Sequence, residues 1–384
     1  MSTAVAAASR YLRGDRTIWF IFFALILASL LAVYSSTGLL AYKLYGGNTE
    51  YLFLKHFGIL VVGLCVCYVA YRADHKVFQG LAPWMLITSI VLLLLTLLFG
   101  IEINDARRWL QLPVLGVRFQ PSDFAKIAIV VYLARAMAGA QDRIAEGRDL
   151  MVPVVWPVLI VCGLIAPSDL STSLMLGATC WTMLLIGRVP LKYLLGFVGA
   201  AAVVFAFLIL LGQVMPDSVR VETWASRLGE FVSGEGGYQV QQAKIAIANG
   251  EIFGVGAGQS LQRNYLPTPY ADFIYAIICE EYGLIGAAVV IGLFLWLFIR
   301  TCRLLTRSTK VFGALMACGL ALLMVMQALA NIAVSVNLVP VTGLPLPIVS
   351  MGGTSLVFSC LAFGIILSVS RYVERGATPS RAAA

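Results

Sequence analysis

Residues 264–300 read NYLPTPYADFIYAIICEEYGLIGAAVVIGLFLWLFIR. A polar, Pro-rich loop ends at Ala271, and an almost wholly apolar run begins at Phe273. An apolar run of about 20 residues crosses a bilayer as a helix. Asp272 stands at the junction. A carboxylate beside hydrocarbon is costly to keep, so it is a functional hypothesis by default. The residues alone leave two readings open: a catalytic base, or the acidic cap of the helix that follows.

The rest of the chain repeats this apolar pattern. It has 384 residues, 60% of them hydrophobic and 12% charged, with a mean hydropathy of +0.90. No soluble fold hides that much apolar surface. Ten spans are expected, near 17–37, 53–71, 79–100, 122–138, 152–167, 170–187, 191–213, 273–299, 311–336 and 353–371. They must be helices, because lipid offers no partner for open backbone groups and nothing alternates like a barrel strand. The spans at 53–71 (Lys55, His56) and 122–138 (Lys126, Arg135) carry the most charge. The fold class is therefore an all-α polytopic membrane protein. Tails at 1–16 and 373–384 flank one membrane domain at 17–372, with a long loop at about 214–271 between helices seven and eight.

Basic residues orient it. Arg10 to Arg16, Arg72, Lys76, Arg143, Arg148, Arg188, Lys192, Arg300 to Lys310 and Arg371 to Arg381 fall on one side, more than half of the 27 Lys and Arg. Both termini are expected in the cytoplasm, with the loops at 101–121, 214–271 and 337–352 outward. The net charge of +8 is this topology signal, and no basic-aromatic groove suggests nucleic acid. The eight cysteines lie in spans or near their cytoplasmic ends, which argues against a disulfide framework. Two histidines exclude a His-rich metal site.

The outward loops carry the unusual residues. Segment 214–271 is too long for an idle connection. It holds Trp224, Phe231, Tyr238 and several Ile, with Gly250, Gly254, Gly256 and Gly258 suited to tight turns and close backbone approach. Tyr238 to Asn249 reads as a short interfacial helix with Gly250 as its C-cap. Arg107, Arg108, Arg118, Arg220, Arg227, Lys244 and Arg263 share this side, against the usual bias. Singly they suit headgroups or salt bridges. Clustered around one carboxylate, they suit a phosphate-bearing substrate.

Four segments together resemble the SEDS family (shape, elongation, division and sporulation). The first is Ala106-Arg107-Arg108-Trp109 followed by Phe119-Gln120-Pro121-Ser122-Asp123-Phe124-Ala125-Lys126. The second is Pro167-Ser168-Asp169-Leu170-Ser171-Thr172. The third runs from Tyr238-Gln239 through Gly254-Val255-Gly256 to Asp272-Phe273-Ile274 and Glu280-Glu281-Tyr282-Gly283. The fourth is Pro340-Val341-Thr342-Gly343-Leu344-Pro345-Leu346-Pro347 with Ser350 to Ser355. Asp123 stands where the family usually has Glu, and Thr342 where some division-type members have Lys. Gly14-Asp15-Arg16 and Leu31 to Thr37 look more like the division type than the elongation type.

The resemblance implies a peptidoglycan glycosyltransferase that polymerises lipid II and releases undecaprenyl pyrophosphate during cell division. The resemblance also implies a place in the bacterial inner membrane, at the septum. Asp272 aligns with the family's proposed general base. Arg108, Lys126, Asp123, Arg263, Lys244 and Glu280 are the candidate substrate-binding residues. Mg²⁺ or Mn²⁺ is chemically compatible with pyrophosphate, but no metal site is legible. The implied partners are a class B penicillin-binding transpeptidase and other division proteins. Each residue keeps a plainer reading. Lys126 and Asp123 are a helical i,i+3 pair, Asp169 and Thr172 suit a helix cap, and Tyr282-Gly283 reads as packing. A lipid II flippase or a non-catalytic division scaffold would share much of this pattern. A transporter should show repeats or paired broken helices, and neither is visible in the sequence.

Overall fold

The computed structural model describes residues 14–46, 48–103, 106–111, 118–140, 151–214, 219–234, 236–308 and 310–377. The helices are α1 (Arg16–Ser36), α2 (Gly38–Tyr45), α3 (Thr49–Arg72), α4 (His75–Phe99), α5 (Pro121–Gly139), α6 (Trp156–Ile165), α7 (Leu170–Ile186), α8 (Leu191–Val214), α9 (Val221–Val232), α10 (Tyr238–Gly250), α11 (Ile274–Arg307), α12 (Val311–Ser335) and α13 (Thr354–Ala377). A π-helical turn, Met151–Val155, leads into α6.

Seven helices are long and apolar enough to cross a membrane: α1, α3, α4, α8, α11, α12 and α13. The expected spans at 152–167 and 170–187 fall on shorter apolar helices, Val152–Ile165 and α7. The expected span at 122–138 falls on α5, which is 19 residues long and carries Asp123, Lys126 and Arg135. So the sequence places ten helical segments correctly, while length and composition qualify seven of them as spans. The all-α fold class holds, with one small local addition. Ile101–Ile103, Ala106–Gln111 and Arg118–Phe119 form a small antiparallel sheet, β1 to β3. Backbone groups in so short a connection are satisfied by pairing across a hairpin.

Helix α12 is the centre of the bundle: 89% of its most apolar window is buried, against 17% for α8, which lies at the edge. Helices α3 and α13 approach closely at glycine. A Cβ on Gly364 would stand 2.4 Å from the Cys67 carbonyl oxygen. Between α12 and α13 the chain crosses as an irregular strap, residues 337–353. Ser29 of α1 pins it by donating to the Val349 carbonyl at 3.0 Å. Its proton thus committed, Ser29 Oγ accepts from His56 Nε2 at 2.9 Å.

Two readings of the long loop change. Its second helix forms where expected, but Glu251, with φ 45°, is the cap residue. Gly250 is small for another reason: a Cβ there would lie 1.9 Å from the Cys279 carbonyl oxygen. Helix α11 is also not continuous. Gly283 breaks it, with φ 64° and ψ −164°, so Tyr282-Gly283 is more than packing and one broken helix exists after all. The break is filled by backbone of the loop. In an unbroken helix Leu284 and Ile285 would donate to the carbonyls of Glu280 and Glu281. Here Leu284 N–H donates to Glu251 O (2.9 Å) and Ile285 N–H to Ile252 O (3.3 Å). The freed carbonyls of Glu280 and Glu281 accept from Val255 N–H (2.9 Å) and Gly256 N–H (3.1 Å). Four hydrogen bonds between helix and loop thus engage eight backbone groups and leave none of them open, as an apolar surrounding demands.

Candidate active site

Asp272 sits in the turn ahead of α11. The N-cap position of α11 is Phe273, and no side chain caps the helix. The cap reading of Asp272 is therefore not met by the geometry. Among the described residues its carboxylate has no hydrogen bond and no ion pair. Burial pushes it up from the ordinary carboxylate range to about 6; Arg108 pulls it down, Asp169 pushes it up and Arg227 pulls it down. Desolvation thus outweighs two nearby cations. Gly343 of the strap lies alongside, where a Cβ would stand 3.8 Å from Asp272 Oδ2.

The groups that share this field come from separate elements. Arg108 is on β2; its Nε donates to the Ser168 carbonyl at 2.8 Å, and its Nη1 lies 3.4 Å from Asp169 Oδ2. Asp169 Oδ1 meanwhile accepts from Thr172 N–H at 3.1 Å, capping α7. The cap expected at Asp169 is present, and the same carboxylate also steers Arg108. Arg227, on α9, donates from Nη1 to the Val341 carbonyl at 3.1 Å. Burial lowers its pKa first, then repulsion from Arg108 and Arg220, while Asp169 and Asp272 oppose this. Sequence reading counted Arg227 among the outward cations but did not single it out. The signal was there: Arg227 lies three residues after Trp224 and four before Phe231, so it shares their half-buried face, at its border with the polar residues Thr223, Ser226 and Glu230. That side borders an open polar cavity of about 520 Å³ lined by Glu222, Ser226, Arg227, Glu230, Tyr238 and Val341.

The other candidates stand apart from the Asp272 carboxylate. Lys126 Nζ and Asp123 Oδ1 pair at 2.8 Å, both buried in α5, and Lys126 also donates to Gln327 Oε1 at 3.1 Å. The expected i,i+3 pair is present, with Asp123 Oδ2 left without a partner. Lys244 is exposed on α10. Glu280 accepts from Ser260 Oγ and from the N–H groups of Leu261 (3.3 Å) and Gln262 (3.3 Å). Glu281 accepts from Ser35 Oγ. Arg263 Nη1 donates to the Ser35 carbonyl at 3.0 Å. Glu280 and Arg263 thus tie the loop to α1 and α11 instead of facing Asp272. Glu280→Gln is expected to turn an N–H₂ group toward loop donors and lower stability by about 1–3 kcal/mol, read as a lower melting temperature in detergent. An unchanged melting temperature with a raised KM would instead return Glu280 to the substrate.

Among the described residues no three His, Cys, Asp or Glu side chains stand together as a cation site. Asp169 is already engaged by Thr172 and Arg108. A Mg²⁺ or Mn²⁺ ion here would need donors from a bound pyrophosphate.

The helical membrane bundle thus holds a partly buried, unpaired carboxylate that feels the charge of two arginines, one of which lines an open polar cavity. Residues 15–375 match the cell cycle protein family of FtsW, RodA and SpoVE, and the chain belongs to it. It is 34% identical over 343 residues to a protein of Trichlorobacter lovleyi named a probable peptidoglycan glycosyltransferase FtsW, covering 88% of each chain. The Bacillus subtilis protein of the same name is 31% identical over 360 residues, 90% of this chain and 87% of that one. In structure it is similar to a chain of a peptidoglycan synthase complex that coordinates polymerization and crosslinking (TM-score 0.68, 26% identity, 93% of this chain and 98% of that one). The rod shape determining protein RodA of Thermus thermophilus shares the fold (TM-score 0.64, 23% identity, 94% and 98% covered).

Proposed function

We propose that this chain is a peptidoglycan glycosyltransferase that polymerises lipid II during cell division, with Asp272 as general base. The observation that carries the reading is the Asp272 carboxylate: uncapped, unpaired and raised to about 6 by burial, beside Arg108 and Arg227. A base poised near the working pH and free to accept a proton suits this role. The 4-hydroxyl of the acceptor sugar attacks the anomeric carbon of the donor, its proton passes to Asp272, and the C–O bond to pyrophosphate breaks. Undecaprenyl pyrophosphate leaves with the bonding electrons. Arg108 and Arg227 are placed to offset its charge.

The loop-bearing face is then outward and both termini cytoplasmic, in keeping with the Lys and Arg distribution. The septum is the site of action, and a class B penicillin-binding transpeptidase is the partner. The synthase complex that coordinates polymerization and crosslinking supports the partner, and membership of the cell cycle protein family supports the division role. The test is glycan polymerisation from purified lipid II by wild type and Asp272→Asn, with the cognate transpeptidase present. Equal polymer from both removes Asp272 as base. No polymer from the wild type, where a known polymerase succeeds, removes the polymerase reading in favour of a flippase or scaffold.

A further inference from the structure

Helix α12 is apolar and central, yet two amides are buried on it one turn apart, Gln327 and Asn331. Neither touches the Asp272 carboxylate. Both hold what surrounds it. Asn331 Nδ2 donates to two carbonyls, Asp272 O and Leu344 O, each at 2.7 Å. One side chain thus fastens the turn bearing Asp272 to the strap. Gln327 Nε2 donates to the next strap carbonyl, Pro345 O, at 2.8 Å. Its Oε1 accepts from Lys126 Nζ, which is paired with Asp123. The chain of contacts runs Asp123, Lys126, Gln327, Pro345, Leu344, Asn331, Asp272.

Further bonds close the same seam. Ser350 Oγ donates to the Ala271 carbonyl at 2.6 Å, and Met351 N–H donates to the Tyr270 carbonyl at 2.9 Å. Three consecutive carbonyls, of Tyr270, Ala271 and Asp272, are therefore held by α12 or the strap. The strap itself is strained. Ile348 is buried with φ 65°, inside a tight turn closed by Val349 N–H to Pro347 O at 2.8 Å. A β-branched residue in that region persists only where its surroundings over-determine it. Buried amides in an apolar helix are costly unless bonded, and these two are spent on main-chain carbonyls of the Asp272 turn and the strap.

We propose that Gln327 and Asn331 are positioning residues, which clamp the Asp272 turn against the 344–351 strap and so keep the carboxylate aligned and shielded from bulk water. This rests on Asp272 being the base. The ladder gives the Lys126–Asp123 pair a role at a distance: it anchors Gln327. The charged and titratable groups whose electrostatic influence couples to Asp272 are Arg108 on β2, Asp169 at the start of α7, Arg227 on α9 and Tyr270 in its own turn. None is on α12 or the strap, so neutral substitutions there change the hydration and placement of Asp272 without changing those charges.

The experiment uses the full-length chain with its transpeptidase, measuring lipid II polymerisation against pH for wild type, Asn331→Ala, Gln327→Leu and Asp272→Asn. Asn331→Ala is expected to lower kcat by about 10²-fold with little change in KM, the scale of a small misplacement. Its acidic limb is expected to move below that of wild type, as water reaches the carboxylate. Hydrogen exchange at the Met351 amide should quicken. Gln327→Leu should give the same changes at about one-tenth the size in rate, and it decides the matter if Asn331→Ala fails to fold. A lowered rate with the acidic limb unmoved, or wild-type rate and limb, overturns the proposal. If Asp272→Asn is inactive while both α12 variants behave as wild type, only the positioning role fails. If Asp272→Asn polymerises normally, the base reading fails and this inference with it.

Discussion

Asp272→Asn is expected to lower polymerisation from lipid II by about 10²–10⁴-fold while making the protein more stable at neutral pH. Both effects come from the same burial. The asparagine fills the same space but accepts no proton, so the acceptor hydroxyl must ionise unaided. The wild-type rate should rise with pH through about 6, where the Asp272 carboxyl ionises, and fall on the acid side. Stability runs the other way. Burial raises the folded-state value above the ordinary carboxylate value of 3.8. The folded state then holds its proton more tightly than the unfolded state. Stability falls as pH rises between those two values, and the cost is full above the upper one. Removing the charge should therefore recover about 1–3 kcal/mol at neutral pH, screening by Arg108 and Arg227 included. Thermal melting at pH 7.5 and at pH 5 measures this. An inactive variant that melts earlier than wild type would point to misfolding, and the base assignment would lose its support.

How far the site was readable depends on what kind of contact each residue makes. Asp272 stood out because charge beside a long apolar run needs a reason, Arg108 because it is an outward cation against the usual bias, and Asp169 only as the helix cap that it also is. The Lys126–Asp123 pair was legible because i,i+3 spacing on one helix is local. Glu280 and Arg263 looked alike in sequence to the residues that face Asp272. Only tertiary contacts show them tied to Ser260 and Ser35. Gln327 and Asn331 left no mark at all: a neutral amide in an apolar helix has no periodic signature, and its partners lie 13 to 201 residues away. The helices themselves were easier, since hydropathy sets their positions. The break at Gly283, a residue read as packing, was invisible for the converse reason. A helix broken by a single glycine keeps its hydropathy on both sides.

Gly283→Ala should be among the most damaging single-methyl changes in this chain. An added Cβ would stand 2.3 Å from the Ile252 carbonyl oxygen and 2.5 Å from Gly254 N. These are backbone atoms and cannot rotate away. The residue's φ of 64° with ψ −164° also lies in territory that only glycine occupies readily. Relief requires the 251–256 segment to separate from α11, which opens the four exchanged hydrogen bonds between them. Strain of about 1–3 kcal/mol and four bonds at about 1 kcal/mol each place the loss at about 4 kcal/mol or more. Gly254 is locked in reverse, where a Cβ would lie 2.2 Å from the Glu281 carbonyl oxygen. Gly292, farther along α11, has nothing within 4 Å of such a Cβ. Gly292→Ala should be neutral or stabilise by about 0.5–1 kcal/mol, since alanine favours helix. Melting temperature and protease sensitivity of the 251–273 segment distinguish the two. If Gly283→Ala melts like Gly292→Ala, the loop is not clasped into the break. If it melts early, the loop that carries Asp272 is held in place from below by α11, as the strap holds it from the side.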